Sequence, residues 1–380
     1  MRSMGVDSGT LSVDIVVIED EPLGVVYEEA VPRQRMVADP EWFVRHLEEI
    51  AERLGVESVA MSSGYGVALK RARDAEPWEI EVATFIHRED EKRGLRILGL
   101  RRVMQLLRES RLQAWFTPGV VQLDTVPRYR KLNRIDMGTS DKVYSVAAAV
   151  WAEVEQRGVS PREVNIIVLE AGYAYTAAIA VKDGAIVDGV GGTTAFTGYM
   201  GAGAWDAELA YLAAFLEPGF SKNRLFEGGA ASLLDKGWPP PRPEEVAEAA
   251  SRGDKAARET LEALAEAAAK TALSLLAVVR PRRVYVTGRW ARIPLFMERL
   301  AEKLEPMLQL GAEATRLTVT HTAKEAAFGG ALIANGLAGG RYAWLPESLG
   351  LTASRGTVFD HIAVGGYREK ALSYYRGREV

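Results

Sequence analysis

Asp7-Ser8-Gly9-Thr10 is the first place in this 380-residue chain where residue types and spacing could do chemistry. It offers one carboxylate, two hydroxyls and a glycine between two apolar runs, the arrangement of a β-hairpin tip. Glycine lets backbone N–H groups come close to phosphate oxygens, and the carboxylate could hold a hydrated Mg²⁺ beside them. The same residues also read as an ordinary hairpin turn. A second segment, Leu169-Glu170-Ala171-Gly172-Tyr173, ends another apolar run in a carboxylate and a glycine turn. A third, Gly138-Thr139-Ser140-Asp141-Lys142, opens an Ala/Val-rich stretch. A glycine, two hydroxyls, an acid and a lysine at a helix start make either an anion site or a plain N-cap with Lys142 exposed.

Three more stretches carry signals. Gly189–Gly203 is rich in Gly and Thr, including Gly191, Gly192, Thr193 and Thr194, and has no clear period. A loop of that length in a compact domain is usually functional. Arg128–Arg134 is basic with one aromatic, which suits an anion or a solvated loop equally. Gly329-Gly330 falls inside a helical pattern, where each glycine costs about 1 kcal/mol relative to Ala; close packing against another backbone or a ligand is the physical reason to keep them.

The elements that must position these residues follow from periodicity. Strands are expected at the N-terminus, over Ser12–Ile18 and over Leu23–Val31. A helix begins at Asp39-Pro40-Glu41, with Asp39 as cap and Pro40 at the first helical position, and Gly55 stops it. Val56–Met61 is a buried strand. Trp78–Ile86 reads as a strand, Arg93–Arg111 as an amphipathic helix with a solvated Arg face, and Ala114–Val126 as one or two strands. Helix is expected from Ser140 to about Arg157. Strands follow at 165–172, 174–181 and 185–190, with a type I′ turn at Asp183-Gly184. Helices are expected over 204–216 and 225–235, then a stiff connector at Trp238–Pro243, a short helix to Ser251 and a long one over 254–279. The pattern closes with a strand at 283–287, a helix from Pro294, a strand at 317–319 and a helix over 323–336. The three-strand opening therefore occurs twice, which implies two related domains, each presenting a carboxylate and a glycine turn.

Composition bounds the rest. The length suggests two domains, and 48% apolar residues are enough for substantial cores. A net charge of −4 with interspersed signs argues against nucleic acid as a partner. No long apolar run predicts a membrane span, and the strand-like N-terminus lacks a signal peptide's core, so a cytoplasmic protein is expected. Zero Cys excludes disulfides and thiolate chemistry, and four scattered His speak against a histidine-rich metal centre. Abundant Arg, Glu and Ala fit a thermophile.

In this order the segments resemble the actin, sugar-kinase and heat-shock-chaperone ATPase superfamily, which includes acetate and butyrate kinases. Gly5–Thr10 resembles its first phosphate motif, Ser140–Arg157 its first connecting helix and Val168–Thr176 its second phosphate motif. Val284–Pro294 resembles its adenosine motif and Glu325–Gly336 its second connecting helix. Gly138–Val143 resembles the matching segment of acetate and butyrate kinases, and the whole chain resembles an archaeal family described as predicted butyrate kinases. Two departures stand out. Glu170-Ala171 replaces an Asp and a Gly, and Thr287-Gly288-Arg289 replaces a paired glycine. Glu170 would shift a metal contact by one methylene, and Ala171 would crowd the phosphates.

The resemblance implies an α/β fold of two ribonuclease-H-like domains, 1–137 and 138–338, with an interdomain cleft and a tail at 339–380 that covers the first domain. It implies ATP and Mg²⁺ as cofactors. Asp7 and Glu170 would position the metal, and Ser8, Gly9, Thr10, Gly172 and Tyr173 the phosphates. Gly191, Gly192, Thr193, Thr194, Gly288 and Arg289 would complete the nucleotide site. A small-molecule substrate would enter near Thr139, Ser140 and Arg134, with Lys142 neutralising charge and Asp141 as base if the acceptor were a hydroxyl. A short-chain carboxylate is the favoured acceptor, because it is already ionised. The rival reading is a nucleotide-binding switch or regulator without kinase activity. A homodimer is left open.

Overall fold

The computed structural model describes residues 1–92, 98–237 and 239–377. The chain opens with β1 (Arg2–Ser8), β2 (Ser12–Asp20) and β3 (Leu23–Pro32), then α1 (Arg33–Ala38), α2 (Pro40–Leu54) and β4 (Val56–Met61). It continues through β5 (Lys70–Arg71), α3 (Pro77–Thr84), α4 (Arg88–Lys92), α5 (Leu98–Glu109) and β6 (Ala114–Phe116). The middle of the chain forms α6 (Ser140–Trp151), β7 (Ile166–Ala171), β8 (Thr176–Lys182), β9 (Ala185–Val190), α7 (Ala207–Leu216), α8 (Pro243–Ser251) and α9 (Lys255–Leu273). Last come β10 (Arg283–Thr287), α10 (Pro294–Lys303), α11 (Glu305–Gln309), β11 (Glu313–Arg316), α12 (Glu325–Leu337), α13 (Trp344–Ser348) and α14 (Tyr367–Arg376).

Two sheets result, ordered β3-β2-β1-β4-β6-β5 and β11-β10-β7-β8-β9. In each, three antiparallel strands are followed by a strand that pairs in parallel with the first: β4 on β1, β10 on β7. The repeat read from the two glycine turns is thus a repeat of topology.

Alternation along the strands sorts the chain into layers. On β1, Met4 and Val6 face a core shared with Phe43, Leu47 and Met104 of α2 and α5. On β7, Ile167, Leu169 and Ala171 face a core shared with Leu264 and Ala268 of α9 and Phe296 of α10. The opposite faces of both sheets meet a central core built on Tyr144, Ala148, Ala327 and Ala331 of α6 and α12. The layers therefore run helix, sheet, paired helices, sheet, helix.

The central pair packs unusually close. A Cβ on Gly329 would overlap the Tyr144 carbonyl oxygen, and one on Gly330 would sit 2.8 Å from the Tyr144 ring and 3.3 Å from the Gly5 Cα. The two helical glycines are kept for backbone approach between α12, α6 and β1. Asp39 caps α2 by accepting from the Trp42 amide at 2.7 Å, and Gly55 ends that helix at φ 65°. Asp183 and Gly184 both hold positive φ, as the hairpin turn requires.

Several elements differ from the sequence reading. Residues 77–84 form a helix and not a strand: Pro77 starts it, Glu76 and Glu79 cap each other reciprocally, and Ile80, Val82 and Ala83 are all buried, so alternation carried no information there. Ala114–Val126 holds only the short β6. Residues 225–235 form short 3₁₀ turns, and the last strand is 313–316 and not 317–319. The helix from Ser140 ends as a wider π turn over Ala152–Gln156. The start of the expected 93–111 helix and Trp238 lie outside the described residues. In the tail, Phe359 and Tyr375 pack on Phe85 beyond the C-terminus of α3. Among the described residues, no helix is long and apolar enough to cross a membrane.

Candidate functional site

Between the two sheets lies a cavity of about 650 Å³. The β1–β2 turn, Ser8, Gly9 and Thr10, forms one wall, and the β7–β8 turn, Gly172 and Tyr173, another. Thr139, Asp141 and Lys142 at the start of α6 and Glu170 on β7 also line the cavity, and Gly288 and Arg289 do so after β10. Gly192 and Thr193 also reach the wall. Residues far apart in sequence but alike in chemistry thus share one space.

Asp7, Asp141 and Glu170 each have an ammonium partner. Alternation on β7 turns Glu170 away from the α9 core toward α6, where Oε1 accepts from Lys142 Nζ at 2.6 Å and Oε2 from the Ser145 hydroxyl at 2.8 Å. Lys142 also donates to Asp141 Oδ2 at 2.7 Å, and the Thr139 hydroxyl donates to Asp141 Oδ1. Asp7 is fully buried and pairs with Lys324, the residue just before α12. Asp14, opposite Asp7 in the β1–β2 ladder, accepts from the Lys324 amide at 3.2 Å.

The electrostatics follow from burial and pairing. Burial raises the Asp7 carboxyl above its ordinary range; Lys324 opposes this, while Asp141, Asp14 and Glu170 add to it. Burial disfavours the charge on Lys142, but Asp141 and Glu170 outweigh it and hold the ammonium protonated. Lys324 is raised against its own burial, chiefly by Asp7 and then Asp14. Burial also works against ionisation of Asp141, yet Lys142 and the Thr139 hydroxyl bring it below the usual carboxylate range.

Some expected site residues have other work. Ser140 is buried off the cavity wall and accepts from the Ser63 amide at 2.6 Å, pinning α6 to the loop after β4. Arg134 is exposed and away from the cavity. Gly191 and Thr194 are also off the wall: the Thr194 hydroxyl donates to the Asp136 carbonyl at 2.8 Å, and a Cβ on Gly191 would overlap the Asp136 carboxylate. The Asp136 side chain also accepts from the Thr193 amide and hydroxyl, at 2.9 and 3.0 Å, so it holds this Gly/Thr loop in place. The Gly172 amide donates to the Tyr175 carbonyl at 2.9 Å, and the Tyr173 hydroxyl to the Pro240 carbonyl at 2.6 Å. Ala171 does not crowd the cavity as expected; it lies in the α9 core with Gly288 stacked on its carbonyl.

Among the wall residues that sequence reasoning missed are Arg33, Asp136, Lys222 and Lys324. Lys222 reaches from the second half of the chain to the Phe85 carbonyl, 2.7 Å, with its ammonium 4.5 Å from the Tyr65 ring centre and 4.8 Å from that of Phe85. Burial pushes it down to about 7, with Asp136 and Asp90 opposing. Arg289, expected near a nucleoside, also bridges the sheets by donating to the Ser12 hydroxyl at 2.8 Å. The one local signal for Lys324 was a lysine at a helix N-terminus, where the macrodipole disfavours positive charge.

A family model described as "Protein of unknown function (DUF1464)" matches residues 5–364. No curated protein matches the sequence. Solved structures do resemble it. Acetate kinase from Porphyromonas gingivalis superposes with TM-score 0.58 at 11% identity, covering 88% of this chain and 98% of that one. A propionate kinase from Francisella tularensis subsp. tularensis SCHU S4 gives 0.57 at 14%, covering 87% and 98%. A ROK family glucokinase from Streptomyces griseus, in complex with glucose and AMPPNP, gives 0.50 at 16%, covering 88% and 99%. At such identities it is the fold that is shared: two ribonuclease-H-like α/β halves of the actin-like ATPase type, seen elsewhere in phosphotransferases.

Proposed function

This chain belongs to the DUF1464 family, and we propose that its cleft makes it an ATP-dependent phosphotransferase for a small acceptor, with a short-chain carboxylate such as butyrate ahead of other acceptors. The observation that carries this reading is the meeting of the Ser8–Thr10 and Gly172–Tyr173 turns across one cavity, with Lys142 between them. The likeness to acetate and propionate kinases supports it, as does a glucokinase that holds AMPPNP on the same fold.

Phosphoryl transfer needs alignment and charge neutralisation more than covalent help. In the proposed reaction a carboxylate oxygen of the acceptor attacks the γ-phosphorus. The bond from that phosphorus to the bridging oxygen breaks, ADP leaves and an acyl phosphate forms; no proton has to be removed. A hydroxyl acceptor would need a base. Asp141, the nearest candidate, already has both oxygens engaged by Thr139 and Lys142, which favours the carboxylate. The cavity wall also carries Arg33, Tyr65, Leu100 and Thr139, a cation beside apolar neighbours, which suits a small carboxylate with a short apolar tail.

The test is to incubate the protein with ATP, Mg²⁺ and acetate, propionate or butyrate in the presence of hydroxylamine, and to measure hydroxamate and ADP. Product with one of the three supports the reading. ADP and hydroxamate no higher than without protein would sink the carboxylate assignment. A nucleotide-dependent switch is the second reading. What favours it is α7, none of whose residues is buried and which exposes Leu209, Tyr211, Leu212, Phe215 and Leu216, a surface suited to a protein partner. A melting shift with nucleotide and no product would support it.

A further inference from the structure

A divalent cation on these carboxylates needs open oxygens, since Mg²⁺ takes oxygen ligands in a near-ideal octahedron. The donors of this cleft do not fit that requirement. Both oxygens of Asp141 and both of Glu170 accept hydrogen bonds from Thr139, Lys142 and Ser145. One Asp7 oxygen is held by Lys324, and only Asp7 Oδ1 lacks a partner. Metal positioning by Asp7 and Glu170 would require both lysines to move.

The placement of Lys324 is specific. It stands at the N-cap of α12 but makes no side-chain cap bond there. Its ammonium reaches Asp7 and lies 3.7 Å from Asp14 Oδ2. It touches the first glycine turn: a Cβ on Gly9 would overlap Nζ and lie 2.9 Å from Cε. Gly9 thus leaves room for a cation as well as for a tight turn. The side chain is 14% exposed, and the residue lines the cavity beside Ser8 and Thr10. Lys142 takes the matching place at the start of α6, between Asp141 and Glu170.

We infer that Lys324 is a built-in counter-ion for the phosphates of a nucleoside triphosphate, so that this cleft binds the triphosphate without a divalent cation. The inference rests on the proposed nucleotide-binding role of the cleft. Asp7 and Asp14 hold the ammonium at the turn in the empty cleft, and phosphate oxygens share it when the nucleotide enters. Lys142 supplies a second fixed positive charge on the other side.

The experiment is calorimetric titration of ATP into the full chain, once with excess EDTA and once with Mg²⁺. Wild type should bind in EDTA within about threefold of its affinity in Mg²⁺, while Lys324→Met should weaken binding in EDTA by about tenfold or more, the scale of one charge-assisted hydrogen bond. Lys324→Arg keeps the charge and should retain most of the affinity. Lys324→Glu removes the internal cation, adds a carboxylate beside Asp7, and should bind ATP only when Mg²⁺ is present. Thermal unfolding of each variant separates lost binding from lost fold. Wild type that binds only with Mg²⁺ overturns the inference and leaves the nucleotide-binding reading standing. Wild type that binds in neither buffer overturns that reading, and the inference with it.

Discussion

A Cβ on Gly5 would overlap the carbonyl oxygen of Ala327, so β1 and α12 meet backbone to backbone. The contact belongs to a ladder. Ser3 donates to the Ala331 carbonyl at 2.9 Å, Gly5 meets Ala327, and Asp7 pairs with Lys324. Two strand residues advance about 6.7 Å and one helical turn about 5.4 Å, so positions 3, 5 and 7 of the strand keep step with 331, 327 and 324 of the helix. The charged pair at the cleft is the last rung of a packed interface.

Gly5→Ala should therefore destabilise the protein by about 1–3 kcal/mol, the usual cost of overpacking. Gly24→Ala in β3, where nothing lies within 4 Å of the added carbon, is the control. Urea denaturation compares the two. Equal midpoints would show that β1 and α12 are not in backbone contact.

Lys142→Met should cost about 3–5 kcal/mol near neutral pH, because it leaves buried carboxylates facing each other without their shared cation. Lys142 helps to hold Asp141 below the ordinary carboxylate range. A depressed carboxylate contributes stability above its unfolded pKa and loses it as pH falls through the folded value. The gap between wild type and variant should therefore hold near neutral pH and narrow as pH falls below about 4, the ordinary Asp value. A gap independent of pH would contradict this account.

Lys222 titrates in a different window, set by burial of its ammonium. Burial pushes it down to about 7, while an unfolded lysine titrates near about 10.4. Between those values the unfolded chain binds the proton and the folded chain does not, so folding becomes more favourable as pH rises. The stability of wild type relative to Lys222→Met should climb from pH 7 to pH 10 and level off below. Denaturant melts at four pH values read the slope; a flat difference would place the ammonium in water.

Arg289 joins the two sheets through Ser12 and also lines the cavity. Ser12→Ala removes the bridge together with the hydrogen bond from the Ser12 hydroxyl to Asp14, and should cost about 1–3 kcal/mol. Arg289→Ala removes the bridge but leaves the Ser12–Asp14 bond, so it should cost no more stability than Ser12→Ala and in addition weaken nucleotide binding. Calorimetry on both variants separates the roles, and equal affinities would assign Arg289 to the bridge alone.

Much of the cleft was legible because its signals are local. Asp7–Thr10 and Glu170–Tyr173 each join an acid to a glycine turn after an apolar strand, and the repeat of that pattern foretold two matching sheets. Pro40, Gly55 and the Asp183-Gly184 turn also behave as their chemistry dictates. Trp78–Ile86 was misread because burial on all sides erases the alternation that distinguishes strand from helix, and the capping residues Glu76 and Glu79 were the better guide.

By itself, then, the order of residues determined where strands, caps and glycine turns form, since these depend on neighbours a few positions away. Tertiary structure decided which charges meet. Asp7 and Lys324 are separated by 317 positions, and Lys142 and Glu170 by 28. A lysine at a helix N-terminus is an unfavourable place for positive charge, but it does not say which carboxylate Lys324 meets. Its place follows from the packing of Gly5, Gly329 and Gly330, which brings the N-termini of α6 and α12 to one point. Coulombic pairing acts through space and depends on burial, so the chemistry of this cleft was settled only when the two halves closed around their paired helices.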